Sequence, residues 1–244
     1  MNLVPEFVSI VGPTGTGKSE LALRVVGFLA DQGIKAEVIN ADAMQFYRGM
    51  DIGTAKLTVE ERLGIRHHLL DWLDVTEEST AANYQAKARQ KIADLTVEGI
   101  FPVVVGGSML YLAALLNTFE FPGRDEEIRA QLEDELEVLG ANAMHEKLKQ
   151  LDRIAAGRIE PNNGRRIVRA LEIVMITGEP FAASLPEQFV SYAPNLQIGL
   201  NSDRSHLVER LAKRVERMWG RGLVAEVESL IASGLRESKT ARQA

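Results

Sequence analysis

The feature that most constrains this chain is the run Gly12-Pro13-Thr14-Gly15-Thr16-Gly17-Lys18-Ser19. It fits G-x-x-x-x-G-K-[ST] without a gap. The apolar run Phe7-Val8-Ser9-Ile10-Val11 precedes it, and Leu21, Val25, Phe28 and Leu29 follow at helical spacing. Strand, glycine loop and helix in that order predict a phosphate cradle. Glycines let backbone N–H groups turn inward around phosphate oxygens, and a helix N-terminus adds a favourable field. Lys18 supplies a point charge and Ser19 a hydroxyl ligand for Mg²⁺. The segment predicts a site for a di- or triphosphate.

The chain around this loop alternates strand and helix signals. Glu37-Val38-Ile39-Asn40 and Val103-Val104-Val105 read as strands, and His68-Leu69-Leu70 as a weaker one. Tyr84, Ala88, Ile92 and Leu95 share a helix face, and Met109 to Leu116 forms the helix after the Val103 strand. Continuous apolar strands between helices predict an α/β fold, a parallel sheet with helices on both faces. After Phe121-Pro122-Gly123 the pattern becomes purely helical. Ile128, Leu132, Leu136 and Leu139 make one stripe, and a helix from Arg165 to Ile176 stops at Gly178 and Pro180. Leu196 to Leu200 then returns to strand. Ser202 or Asp203 caps a helix bearing Leu207, Leu211, Val215 and Met218. The expected architecture is a catalytic core of residues 1–118 and 193–244, interrupted by an all-helical insertion at 119–192. Ser238 to Ala244 reads as the start of a structured segment, so the sequence is expected to be part of a longer one.

Composition removes several classes. With 28 Lys and Arg against 34 Asp and Glu, the net charge of −6 gives no general basic field. Any polyanion must therefore meet a local basic patch. Cysteine is absent, which excludes disulfides, thiolate metal sites and cysteine nucleophiles. The start lacks a basic region ahead of an apolar stretch, so no secretory signal is read. The apolar stretch Val103 to Leu116 is broken by Gly106, Gly107 and Ser108 and falls short of the ~20 residues a spanning helix needs. A cytoplasmic protein is expected, with no membrane partner.

The chemistry-bearing residues outside the loop are fewer. Nucleotide hydrolases usually place an acid at a buried strand end to hold the Mg²⁺ shell. Here the Val103 strand ends in Gly106-Gly107-Ser108 instead. Asp42, after the second strand, belongs at the carboxyl edge of the sheet, where parallel strands line their crevice. That position suits a general base acting on an acceptor; the plainer reading is an aspartate that caps a turn. Arg210, Arg214, Arg217 and Arg221 form a stripe suited to a leaving phosphate, or a solvated face for two or three of them. Arg165, Arg166 and Arg169 can grip RNA phosphates or pair with nearby acids. His67 and His68 point to opposite faces of a strand, which disfavours a joint metal site. Trp72 and Trp219 read as packing residues.

Together these segments resemble one family, the tRNA dimethylallyltransferases (tRNA isopentenyltransferases). The resemblance rests on Gly12 to Ser19, on Asn40 to Lys56 (the most specific), and on His67 to Asp71. Val105 to Tyr111, Arg165 to Glu172, Arg214 to Met218, Gly222-Leu223 and Glu226-Val227 complete it. They run in the family's order over nearly the whole chain. The resemblance implies transfer of a dimethylallyl group from dimethylallyl diphosphate to N6 of the adenosine just 3′ of a tRNA anticodon. It implies that Gly12, Pro13, Thr14, Gly15, Thr16, Gly17, Lys18 and Ser19 cradle the diphosphate, with Ser19 on Mg²⁺. Asp42 is then the base, and Lys18, Ser108 and Arg214 complete the catalytic set. Contacts to the tRNA anticodon stem–loop are implied for Asp42, Ala43, Met44, Gln45 and Ser108. The same is implied for Arg165, Arg166, Ile167, Val168 and Arg169, on a helical insertion that embraces the RNA. A monomer is expected. Ser108 stands where the family usually has threonine, and Ala43 where serine is common. Members of the family continue past the equivalent of Ala244 with basic helices. Two rival enzymes share the loop: an adenylate isopentenyltransferase using free AMP, ADP or ATP, and a small-molecule kinase. A non-catalytic RNA-binding fragment is the third alternative.

Overall fold

The structure is a computed structural model that describes residues 4–118, 121–181 and 190–243. Five parallel strands form one sheet in the order β3-β2-β4-β1-β5. They are β1 (Phe7–Val11), β2 (Ala36–Asn40), β3 (His67–His68), β4 (Phe101–Gly106) and β5 (Asn195–Gly199). The helices of this part are α1 (Lys18–Asp31), α2 (Ala81–Val97), α3 (Met109–Leu116), α8 (Arg204–Gly220) and α9 (Leu223–Ala232). A second part carries α4 (Glu126–Leu139), α5 (Ala141–Leu151), α6 (Arg153–Ala156) and α7 (Gly164–Thr177). The chain divides into two compact units, residues 1–117 with 191–244, and residues 118–190.

In the first unit both sheet faces are covered. On one side Val8, Ile10, Val38, Val103 and Val105 pack with Ala22 and Val26 of α1. On the other, Phe7, Ile39 and Val104 meet Tyr84, Ala88, Ile92 and Leu95 of α2. Alternate residues of one strand thus feed opposite cores, which is why the centres of β2 and β4 carry consecutive apolar residues. Phe46 anchors the second core. Its ring stacks 5.2 Å from Tyr84 and meets Tyr111 and Trp72 at 5.5 Å each. Such pairs add roughly 0.5–1.5 kcal/mol each beyond area burial.

The strand order places the site. β2, β4 and β1 are neighbours, so the segments leaving their carboxyl ends emerge side by side. Those segments are Asp42 to Phe46, Gly106 to Ser108, and the glycine loop. Gly106 is required by close approach: a Cβ there would lie 2.3 Å from the Ala41 carbonyl. The Ala41 amide bonds the Val105 carbonyl at 2.7 Å, which draws the two strand ends together.

The second unit has its own core of Leu132, Met144, Leu148, Ile159, Ile167 and Leu171. The helices α4, α6 and α7 are capped by side chains. Asp125 accepts the amides of Glu127 and Ile128, Asp152 those of Ile154 and Ala155, and Asn163 that of Arg166. Glu172 is fully buried there and is held by Arg129 and Arg169, each at 2.8 Å.

Three sequence expectations are corrected here. The weak strand is His67–His68, because the chain turns left-handed at Leu69 (φ 59°) and Asp71 (φ 55°). Leu139 is 57% exposed rather than part of the α4 stripe, since α4 ends there and α5 turns away after Gly140. Trp219 is 60% exposed, not packed. No α8 residue is fully buried, because its apolar stripe covers a loop and not a core. Leu207 and Leu211 of that stripe sit directly against Gly15.

Candidate active site

The glycine loop turns where the sequence lets it. Gly15 (φ 80°) and Gly17 (φ 91°) take left-handed backbone, and Gly17 is the N-cap of α1. Thr14, Gly15, Gly17, Lys18 and Ser19 line a cavity of about 380 Å³. Gly12, Pro13 and Thr16 belong to the loop but do not line that cavity. Thr16 Oγ1 donates to the Pro13 carbonyl at 2.8 Å, and so does Lys18 Nζ. The lysine head is therefore already aimed across the mouth of the loop. Burial lowers the Lys18 pKa, which the Asp42 charge raises and Arg214 lowers again.

Asp42 faces the same cavity. Its position is set by Asn40, whose Oδ1 accepts the Asp42 amide at 3.0 Å and whose Nδ2 donates to the Asp42 carbonyl. Asn40 is itself buried, and its carbonyl accepts the Tyr84 hydroxyl. The plainer reading of Asp42, a turn cap, is met. Oδ1 caps the short 3₁₀ turn Ala43–Phe46 by accepting the Met44 amide at 3.1 Å. Burial raises the Asp42 pKa above the usual carboxylate range, while the Met44 amide, Lys18 and Arg214 hold it back. A carboxylate whose pKa is raised binds a proton more readily than a solvated one.

The remaining candidates divide. Ser108 Oγ accepts the Ala43 amide at 3.0 Å, tying the β4 turn to the β2 turn and leaving the hydroxyl proton free to donate. Gln45 lines the cavity and donates to the Thr54 carbonyl at 3.1 Å. Ala43 is a core residue, and Met44 packs half-buried against that core. Arg214 of α8 reaches over the cavity to Thr14 Oγ1 (3.3 Å) and the Thr54 carbonyl (3.4 Å). Arg210, Arg217 and Arg221 also border the cavity, so the stripe is a lip and not a merely solvated face.

In the helical unit the expected RNA contacts separate by side. Ile167 and Val168 are 0% and 1% exposed and belong to the core, because they occupy the apolar positions of an amphipathic helix. Their side chains are unavailable to RNA. Arg169 is held inward by Glu172 and by the carbonyls of Pro122 and Gly123. Arg165 and Arg166 stand exposed on the outer face.

Sequence reading assigned no role to several residues that build the cavity wall. Lys56, its side chain only 2% exposed, bridges Asp51 (2.6 Å), Asp71 (2.5 Å) and the Tyr47 carbonyl. Glu226 accepts three backbone amides of the same wall. Both lie in segments quoted for the family resemblance, yet spacing alone gives no sign that they meet. His67 bonds the Ile65 carbonyl and His68 pairs with Glu37, which are packing roles. No group of three or more His, Asp or Glu side chains suits a metal ion among the described residues.

The family model described as IPP transferase matches residues 45–244. The chain belongs to that family. Its curated relatives include the tRNA dimethylallyltransferase of Kineococcus radiotolerans, 54% identical over 239 residues. That match covers 98% of this chain and 75% of the relative. The Thermobifida fusca tRNA dimethylallyltransferase is 53% identical over 237 residues, covering 97% and 74%. Among solved structures, a eukaryotic dimethylallyltransferase acting on tRNA superposes with a TM-score of 0.80 at 31% identity. It covers 97% of this chain and 58% of that one. The tRNA isopentenylpyrophosphate transferase of Bacillus halodurans gives 0.66 at 37% identity, covering 99% and 74%.

Proposed function

We propose that this chain transfers a dimethylallyl group from its diphosphate to N6 of the adenosine 3′-adjacent to a tRNA anticodon. The observation that carries the reading is the meeting of Asp42, Lys18 and Arg214 at one cavity, supported by the family's named members. An exocyclic adenine amine is a weak nucleophile. It gains from fixed placement and from a base that takes its proton as the new bond forms. In the reaction, N6 attacks C1 of the dimethylallyl group and the C1–O bond to diphosphate breaks. The N6 proton passes to the Asp42 carboxylate. Negative charge grows on the departing diphosphate, where Lys18, Arg214 and the amides of the Gly12–Ser19 loop stabilise it. Ser108, on the neighbouring turn, has its hydroxyl proton free to orient the reacting groups.

The donor set fits Mg²⁺ only alongside the substrate. The Ser19 hydroxyl lines the cavity, and Mg²⁺ commonly takes one or two protein ligands with phosphate oxygens and water. Bound there, the ion would offset leaving-group charge. The RNA base must leave its stack to enter the cavity, at a cost of about a few kcal/mol. Exclusion of water protects the allylic diphosphate from hydrolysis. Arg165 and Arg166 are the exposed cations suited to RNA phosphates. We assign a monomer working in the cytoplasm. No helix among the described residues is long and apolar enough to cross a membrane.

The test mixes the protein, Mg²⁺, labelled dimethylallyl diphosphate and an unmodified anticodon stem–loop. Label in the RNA is the expected result. Label on free AMP in preference to the stem–loop would favour the adenylate enzyme. ATP-dependent phosphoryl transfer without prenyl transfer would favour the kinase.

A further inference from the structure

The geometry points to Glu226 as a positioning residue that sets Arg214 over the diphosphate by clamping the wall between them; this rests on the function proposed above. Glu226 sits in the first turn of α9 and is half-buried. Its Oε2 accepts the amides of Ile52 at 2.6 Å and Asp51 at 3.1 Å, and its Oε1 that of Gly53 at 2.9 Å. Three consecutive amides thus converge on one carboxylate. These charge-assisted bonds are among the stronger ones a side chain can make.

The clamped segment is a tight turn. The Ala55 amide bonds the Ile52 carbonyl, the Lys56 amide the Asp51 carbonyl, and Thr54 Oγ1 the Met50 carbonyl. On its inner side the turn lines the cavity with Ile52, Thr54, Ala55, Lys56 and Leu57. Its Thr54 carbonyl accepts both Gln45 Nε2 and Arg214 Nη2. Glu226 and Arg214 lie on successive helices, so both ends of this link are carried by the α8–α9 corner. The wall fits closely: a Cβ on Gly53 would come within 3.2 Å of Leu223 and 3.5 Å of Glu226 Oε1. Loss of the clamp would loosen the acceptor that holds Arg214 without touching a reacting atom. Lys56 holds the opposite side of the turn, so the fold around it survives that loss.

The experiment compares wild type, E226Q and E226D, each with and without R214A. Thermal midpoint, inorganic diphosphate binding with Mg²⁺, and transfer kinetics are measured. Gln keeps the shape but brings a donor against amides that are themselves donors. Asp keeps the charge on a shorter stem. E226Q is expected to weaken diphosphate binding and raise the dimethylallyl diphosphate KM on the order of tenfold, with a smaller rise in the stem–loop KM because Gln45 shares the Thr54 carbonyl. E226D is expected to recover part of that loss. In the R214A background E226Q should add less than about twofold, because the two act through one contact. Unchanged diphosphate binding in E226Q, or an equal loss in both backgrounds, overturns the assignment. If E226Q does not fold, E226D carries the same comparison. Diphosphate binding without prenyl transfer in wild type would defeat the proposed function while the binding comparison still decides Glu226. Wild type that binds no diphosphate defeats both.

Discussion

The guanidinium of Arg214 lies 3.3 Å from the hydroxyl of Thr14, two hundred positions earlier in the chain. That contact joins α8 to the glycine loop and turns a one-sided cradle into a site with cations on two sides. Both of the guanidinium's bonds are long, at 3.3 and 3.4 Å, so they orient Arg214 while adding little to the stability of the fold. R214K is therefore expected to change stability by no more than about 0.5 kcal/mol. The same change should raise the KM for dimethylallyl diphosphate about tenfold, since an ammonium lacks the planar fork. Steady-state kinetics and thermal melts read the two effects separately.

Asp42 should trade stability for activity. A carboxyl whose folded pKa is raised stabilises the fold most below its unfolded pKa, and that contribution is lost as pH rises through the folded value. Burial raises Asp42 in this way. At neutral pH its ionised form is a load on the fold. D42N keeps an oxygen for the Met44 amide and removes the charge. Its melting temperature at pH 7 is expected to equal or exceed wild type, and the difference should vanish below about pH 4. Transfer should fall roughly 10²–10⁴-fold. Wild-type transfer should decline on acidification with a midpoint above the ordinary aspartate value of 3.8.

Ser108 separates hydroxyl chemistry from side-chain size. Its Oγ accepts the amide of Ala43, whose side chain is in the core. S108A leaves that amide without its acceptor and should cost about 1–3 kcal/mol, measured by denaturant melts. S108T keeps the oxygen and should retain both stability and transfer. Equal loss in the two variants would show that volume matters there, not the hydroxyl.

The α7 helix gives a contrast within one stretch of five residues. I167A should destabilise by about 2–5 kcal/mol, because Ile167 fills the core of the helical unit. R165A with R166A should melt like wild type but bind the stem–loop more weakly. Its binding should also depend less on salt, the slope falling by about one per lost phosphate contact. Filter binding across a salt series checks this.

Much of this was legible in order along the chain. Gly12 to Ser19 announces a phosphate loop because its backbone geometry is local: glycine permits left-handed turns, and the helix start follows at once. The strands announce a parallel sheet because burial on both faces removes polar alternation. Asp42 was legible as a strand-end acid for the same reason. What sequence spacing could not supply was which strand ends become neighbours. The order β3-β2-β4-β1-β5 brings Asp42, Ser108 and Lys18 together, and that order is set by packing between segments far apart in sequence. Ile167 and Arg165 look alike as members of one motif until the helix is rotated into its core. Glu226 and Lys56 carry no motif-level signal of their roles, since a carboxylate or an ammonium finds its partners only when distant backbone arrives. The sequence by itself determined the local chemistry and the class of fold. Only tertiary structure decided which charges meet, because electrostatic and hydrogen-bond energies depend on distances that long-range packing creates.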